Sequence, residues 1–370
     1  MRRYLWPVLM VLFYAAPIAA QEAAARPRGD VLLFNNPPVR GRLHNPFKQE
    51  DIPLEGYPFA RVIVRGLPKD DPAQVELTVT SPDGEQLFRQ TGEVRPEGGA
   101  TAWTARFDRP LKRPGGAEVR LTQGDTTWRY RQEIRLHRLH GRITDFAGKP
   151  IAGFVMVNGY DGAIAQADAD GRYEMWLPET HLPALTFMDS GYGYSSLEAW
   201  VCDYTPRHDL ELNPRIGQLE LYEIQAWRGY SGLKLDLIPM SLGVSTRLAR
   251  AEGVGEEFGK YFGQLPDGKA FLNREDLQVE LDGKPLEVHG FWERVDLMGG
   301  DPRKSETTNS RPEYTLQTSD VRGDGPRGET QVLRVVVTRR HVDGGKLVEE
   351  KGEGYYLGLR AGWSASGGAE

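Results

Sequence analysis

Gly141-Arg142-Ile143-Thr144-Asp145-Phe146-Ala147-Gly148-Lys149-Pro150-Ile151-Ala152-Gly153-Phe154-Val155-Met156-Val157, followed by Ala167-Asp168-Ala169-Asp170-Gly171-Arg172-Tyr173, is the stretch that decides the fold. It reads as strand, tight turn, strand, tight turn, strand. Gly148-Lys149-Pro150 closes a hairpin loop, and the proline fixes φ where the next strand begins. Asp170-Gly171 reverses the chain again, which predicts that Tyr173 points into a core. Further strands are expected at 184–188, 197–204, 218–227 and 233–238, giving one unit over residues 138–244.

The same grammar extends in both directions. Upstream, Arg61-Val62-Ile63-Val64-Arg65 and Gln74-Val75-Glu76-Leu77-Thr78-Val79 alternate apolar with polar residues, so one face lies in a core and one in water. Turn signals recur at intervals typical of sandwiches, for instance Ser81-Pro82-Asp83-Gly84. Residues 49–137 therefore read as a first sandwich, preceded by an extended segment at 21–48 with one short strand at 31–34. Downstream, Leu277-Gln278-Val279-Glu280-Leu281 runs into Asp282-Gly283, whose positive φ suits a type I′ hairpin. Residues 273–362 read as a third sandwich, with the most apolar strand at 331–338. Between them, residues 245–272 read as a linker or short helical insertion, since the glycines at 253, 255, 259 and 263 disfavour a long helix. Residues 363–370 form a polar tail. The fold class is all-β and multi-domain, about three immunoglobulin-like or prealbumin-like β-sandwiches. The composition agrees: 43 Gly and 25 Pro suit many short strands and turns, and 39% hydrophobic residues among 370 favour small cores.

The two opening stretches, with Ser190-Gly191-Tyr192 as a further echo, resemble a carboxypeptidase regulatory-like domain, a small prealbumin-like β-sandwich, over about residues 138–230. The resemblance implies a fold and says little of function, since such domains serve as spacers or binding supports. The long 197–240 portion departs from the family's short ending, which implies extra strands.

Residues 1–20 read as a signal peptide: Arg2 and Arg3, an apolar run to Ala16, then Ile18-Ala19-Ala20 before Gln21. The run is too short to span a bilayer. No cysteine follows the cleavage point, and the C-terminus is polar. These features predict a secreted or periplasmic chain with no stable membrane anchor after cleavage. Cys202 is the only cysteine, so no internal disulfide forms, which points to a bacterial source. Within a strand-like run, Cys202 reads as a buried, inert thiol. A net charge of −6 gives no reason to expect nucleic acid as a partner.

Catalytic signals are weak. His208-Asp209-Leu210-Glu211 with the distant His341 has the residue types of a zinc carboxypeptidase site. The large α/β domain such an enzyme needs is not readable, and the zinc reading is rejected. Asp168-Ala169-Asp170-Gly171 fails the spacing of an EF-hand calcium loop and reads as a plain turn. No catalytic residue, metal or cofactor is expected. Two binding features remain. Tyr192, Tyr194, Trp200 and Tyr204, with Trp227 and Tyr230, form an aromatic cluster whose flat faces suit stacking on sugar rings. Arg129, Arg131, Arg135 and Arg138 form a basic stretch suited to an anionic polymer, or to nothing more than the solvated face of a strand. The function expected is a non-catalytic binding or structural protein engaging envelope or extracellular polysaccharide or another envelope protein. A spacer subunit of a surface assembly and a hydrolase with an unfamiliar site are the alternatives.

Overall fold

The computed structural model describes residues 27–45, 50–68, 71–96, 100–189, 197–229, 232–241, 272–298, 309–319, 328–343 and 345–361. The expected signal peptide, the tail and all of the 245–272 insertion except Leu272 lie outside the described residues. No described helix is long and apolar enough to cross a membrane. The described chain is all-β, apart from one 3-10 turn at Arg274–Asp276, and its strands enclose three main cores.

The first core lies between two sheets. One has the order β1-β4-β7, from β1 (Arg28–Phe34), β4 (Phe59–Arg65) and β7 (Ala100–Arg106). The other has the order β6-β5-β8-β9, from β5 (Ala73–Thr80), β6 (Gln86–Val94), β8 (Gly116–Gln123) and β9 (Thr126–Glu133). Alternation works as the sequence predicts: β5 buries Ala73, Val75, Leu77 and Val79 and turns Gln74, Glu76 and Thr78 away. β1 comes from the segment read as extended, yet it is a full sheet member paired with β4 along its whole length. The Gln132 amide ties it to the opposite sheet by accepting from the Val31 N–H and donating to the Val31 carbonyl, both at 2.9 Å. The hairpin of β2 (Val39–Asn45) and β3 (Glu50–Gly56) packs elsewhere, with Val39 against Phe154, Ile164 and Met188 of the second unit.

The second core sits between β14-β10-β17 and a sheet half of order β13-β12-β15-β16. The strands are β10 (Leu136–Arg142), β12 (Phe154–Val157), β13 (Ile164–Gln166), β14 (Arg172–Pro178), β15 (Leu182–Met188), β16 (Glu198–Tyr204) and β17 (Leu210–Glu211). A short pair, β11 (Thr144–Asp145) with β18 (Arg215–Ile216), closes one end. The two turns quoted at the outset use one device. Asp145 Oδ1 accepts from the Ala147 and Lys149 amides, and Asp168 Oδ1 from those of Asp170 and Arg172. Gly171 has φ +76°, and a Cβ there would lie 2.3 Å from the Ile143 carbonyl oxygen, so only glycine fits. Tyr173 is buried as the turn predicts, its hydroxyl donating to the Leu212 carbonyl at 2.8 Å.

The third core is assembled differently from the expectation. β19 (Leu219–Gly229) and β20 (Gly232–Ser241) precede residue 244, yet they do not extend the second sandwich. They pair with β24 (Asn309–Thr318) and β23 (Val288–Met298) in the order β19-β20-β24-β23. Their buried residues, Leu219, Leu221, Ile224, Leu233, Leu235 and Leu237, share a core with Val279, Leu316 and Val335. The opposing sheet half is β26-β25-β21-β22, from β21 (Leu277–Leu281), β22 (Lys284–Leu286), β25 (Leu333–Asp343) and β26 (Lys346–Tyr356). The two sheet halves are one sheet of eight strands, because β16 pairs in parallel with β26 through Trp200↔Gly354, Val201↔Tyr355 and Cys202↔Tyr356. The second and third units thus share a continuous backbone ladder. β16 serves both cores by alternation, Val201 facing the second and Cys202 the third.

Candidate functional site

The four-stranded sheet covers only part of the eight-stranded one and stops at β19, beside β15 and β16. The step left there is a cleft of about 600 Å³, lined by His181, Trp200, Asp203, Tyr222, Trp227 and Tyr356 among others. Each wall has a local cause. On β16, alternation turns Trp200 to the cleft side, where its indole N–H donates to Glu198 at 2.9 Å and its ring meets Tyr222 with centroids 4.9 Å apart. On β19, a bulge between Tyr222 and Gln225 bends the edge, and Glu223 within it has φ +51°. The bend leaves Gln225 and Trp227 outward while Ile224 and Ala226 enter the core.

The polar end of the cleft is centred on Asp203, itself at φ +57°. Its Oδ2 accepts from the Tyr356 hydroxyl at 2.6 Å, and its Oδ1 lies 2.8 Å from His181 Nε2. Gly358 makes room for this bond: a Cβ there would fall 2.0 Å from Asp203 Oδ2 and 2.4 Å from the Tyr356 oxygen. Two left-handed non-glycine residues at one cleft are a local cost that the surrounding sheet sustains. The β19 edge is also capped, since the backbone at Ile224 hydrogen-bonds the Cys202 thiol and that at Ala226 the Tyr356 hydroxyl.

His181 and Asp203 form a pair of the kind that orients a general base. The thiol next to Asp203 in sequence, Cys202, is 8% exposed, and burial pushes it up to about 11, so it stays protonated at neutral pH. Below the floor, Glu220 and Glu198 are both buried, and the Tyr222 hydroxyl donates to Glu220. Burial first, and the Glu198 charge second, hold the Glu220 carboxyl well above the usual carboxylate range.

The residues singled out from sequence divide. Trp200 lines the cleft. Tyr204 does not: it is 1% exposed within the second core, which removes it as a binding residue. Tyr192, Tyr194 and Tyr230 lie outside the described residues. The basic stretch is largely neutralised by carboxylates across or along the strands. Arg131 pairs with Glu118 at 2.8 Å, Arg135 with Glu133 at 2.8 Å and Arg138 with Glu174 at 2.7 Å, while exposed Arg129 lies within the field of Glu118. It is the solvated face of a strand, with Ile134 buried beneath. Among the described residues no three His, Cys, Asp or Glu side chains gather as a metal would require. Glu211 instead accepts from Asn213, and His341 sits on β25 against Glu350. His181, Asp203, Tyr222 and Tyr356 carried no signal in the sequence.

No family model matches the chain, so the resemblance to the carboxypeptidase regulatory-like domain stands on the residues that carry it. No curated protein matches either. Among solved structures, the chain is similar to a DUF3823 family protein from Parabacteroides merdae, at 11% identity over 61% of this chain and 98% of that one, with a TM-score of 0.17. It is also similar to the native conformation of E. coli alpha-2-macroglobulin, at 13% identity over 83% of this chain and 22% of that one, with a TM-score of 0.15. Likenesses at these scores carry no argument about function.

Proposed function

We propose that this chain is an exported, non-catalytic binding protein of the bacterial envelope or its surroundings, and that the cleft between β16 and β19 takes up a glycan. The observation that carries this reading is Trp227. Its indole is 43% exposed at the mouth of a cleft that also holds Trp200, Tyr222 and Tyr356. A large apolar ring left in water beside a polar rim is the kind of surface that a sugar's C–H face covers, while Asp203, His181 and Gln225 supply hydrogen bonds to hydroxyls. The self-paired arginines of β9 and β10 favour a neutral sugar over an anionic polymer. Among the described residues no activated nucleophile lies beside His181, which favours binding over hydrolysis.

The test is retention of the full chain on an array of neutral and acidic glycans, beside Trp227→Ala and Arg129→Ala. The reading expects neutral glycans to be retained, with Trp227→Ala weakening retention about tenfold, the loss of an aromatic anchor worth ~1.4 kcal/mol. Arg129→Ala leaves retention unchanged. Equal retention of wild type and Trp227→Ala, or retention of acidic glycans alone, overturns it.

A further inference from the structure

The outer face of the β19-β20-β24-β23 sheet carries a second exposed indole. Trp292 on β23 is 52% exposed, and the register relates it to Trp227 at the opposite edge. Trp227 pairs with Lys234, Lys234 with Gln317, and Gln317 with Gly290. These four positions form one row across the sheet. The Trp292 ring lies over that row: a Cβ on Gly290 would come within 2.2, 2.6 and 3.0 Å of three atoms of its six-membered ring. The glycine leaves room for the indole to lie on the sheet and stay half exposed.

Three strand spacings separate Trp227 from the Gly290 position, or about 14 Å at ~4.8 Å per step. The surface between is polar, and Lys234 within the row makes no ion pair among the described residues. Asp236 is held by Arg294 at 2.9 Å and by the Thr315 hydroxyl at 2.6 Å, and Arg294 also pairs with Glu313. Gln225 and Trp227 belong both to this face and to the cleft, so the two surfaces are continuous.

We infer that the glycan site is a track, not a pocket: a polysaccharide chain anchored in the cleft crosses the strands from Trp227 to Trp292 and stacks on both indoles. This rests on the glycan reading of the cleft and adds the ligand's length and direction. A disaccharide reaches one indole, and only a longer chain reaches both.

The experiment measures binding of gluco-, manno- and N-acetylgluco-oligosaccharides, from disaccharide to octasaccharide, to the full chain and to Trp227→Ala, Trp292→Ala, Trp292→Phe and Gly290→Ala. The inference expects affinity to rise about tenfold with length, the gain of a second stacked anchor. Trp292→Ala and Gly290→Ala abolish that gain and leave disaccharide binding intact, and Trp292→Phe retains most of it. Disaccharide binding that needs Trp227, with no gain on lengthening or a gain indifferent to Trp292, overturns the track and leaves the cleft standing. No binding at any length overturns both. A shift in the sedimentation of the free chain caused by Trp292→Ala makes that face a contact between copies and overturns the track alone.

Discussion

Glu353 on β26 is the most heavily bonded buried charge among the described residues, and its replacement has a calculable cost. Its side chain is wholly enclosed. Oε1 accepts from the Arg215 amide at 2.5 Å and the Tyr355 hydroxyl at 2.6 Å, and Oε2 from Arg215 Nε at 2.9 Å and Arg334 Nη2 at 2.6 Å. Arg215 belongs to β18 of the second unit and Arg334 to β25 of the third, so one carboxylate fastens both. Glu353→Gln keeps the volume and removes the charge. Breaking a buried pair costs ~3–5 kcal/mol because its partner stays uncompensated. Here Arg215 and Arg334 remain 33% and 26% exposed, and Arg334 keeps Glu280 at 3.2 Å. Water and Glu280 therefore soften the loss, placing it near the lower bound, at about 3 kcal/mol. Urea unfolding followed by tryptophan fluorescence measures it, with Arg334→Met and the double variant completing a cycle. A loss below about 1 kcal/mol would be the value of an exposed pair and would refute the reasoning.

Two other predictions follow from buried groups. Glu220 is raised above its ordinary value, so the folded chain keeps this proton at pH values where the unfolded chain has lost it. Its contribution is complete below the unfolded value and falls as pH climbs towards the folded one, at ~1.4 kcal/mol per pH unit. Glu220→Gln therefore gains stability over wild type at about pH 8 relative to about pH 4, and urea midpoints at both values check it; an unchanged difference refutes it. For Cys202, burial and the high value together predict that iodoacetamide labels the thiol only in urea. Mass spectrometry showing rapid labelling of the folded chain would contradict that.

What the sequence discloses is each strand's own face, and what it withholds is the partner. Alternation in Gln74 to Val79 and the Asx turns at Asp145 and Asp168 are local, and the structure reproduces them. Leu219 and Leu233 look alike whether their sheet continues the second unit or founds the third, because a period of two specifies a buried side and not a neighbour. The separation of 153 positions from Asp203 to Tyr356 hides the cleft for the same reason. Trp200 was visible as an aromatic on a strand, but so was Tyr204, and only packing separates a ring in a cleft from one in a core. The sequence left the arginines of β9 open between a binding patch and a solvated strand face because Glu118, which neutralises Arg131, is its register partner on β8 and not its neighbour in the chain.

The parallel pairing of β16 with β26 also sets a timetable. The partner of β16 is the last strand described, so its backbone bonds wait until nearly all of the third unit has been made. At ~5–20 residues per second, synthesis leaves that edge open for on the order of ten seconds. A nascent chain cannot complete the second unit early, whatever its own core offers. Any product terminated before residue 346 carries the bare rim of β16 permanently, ready to recruit another such chain.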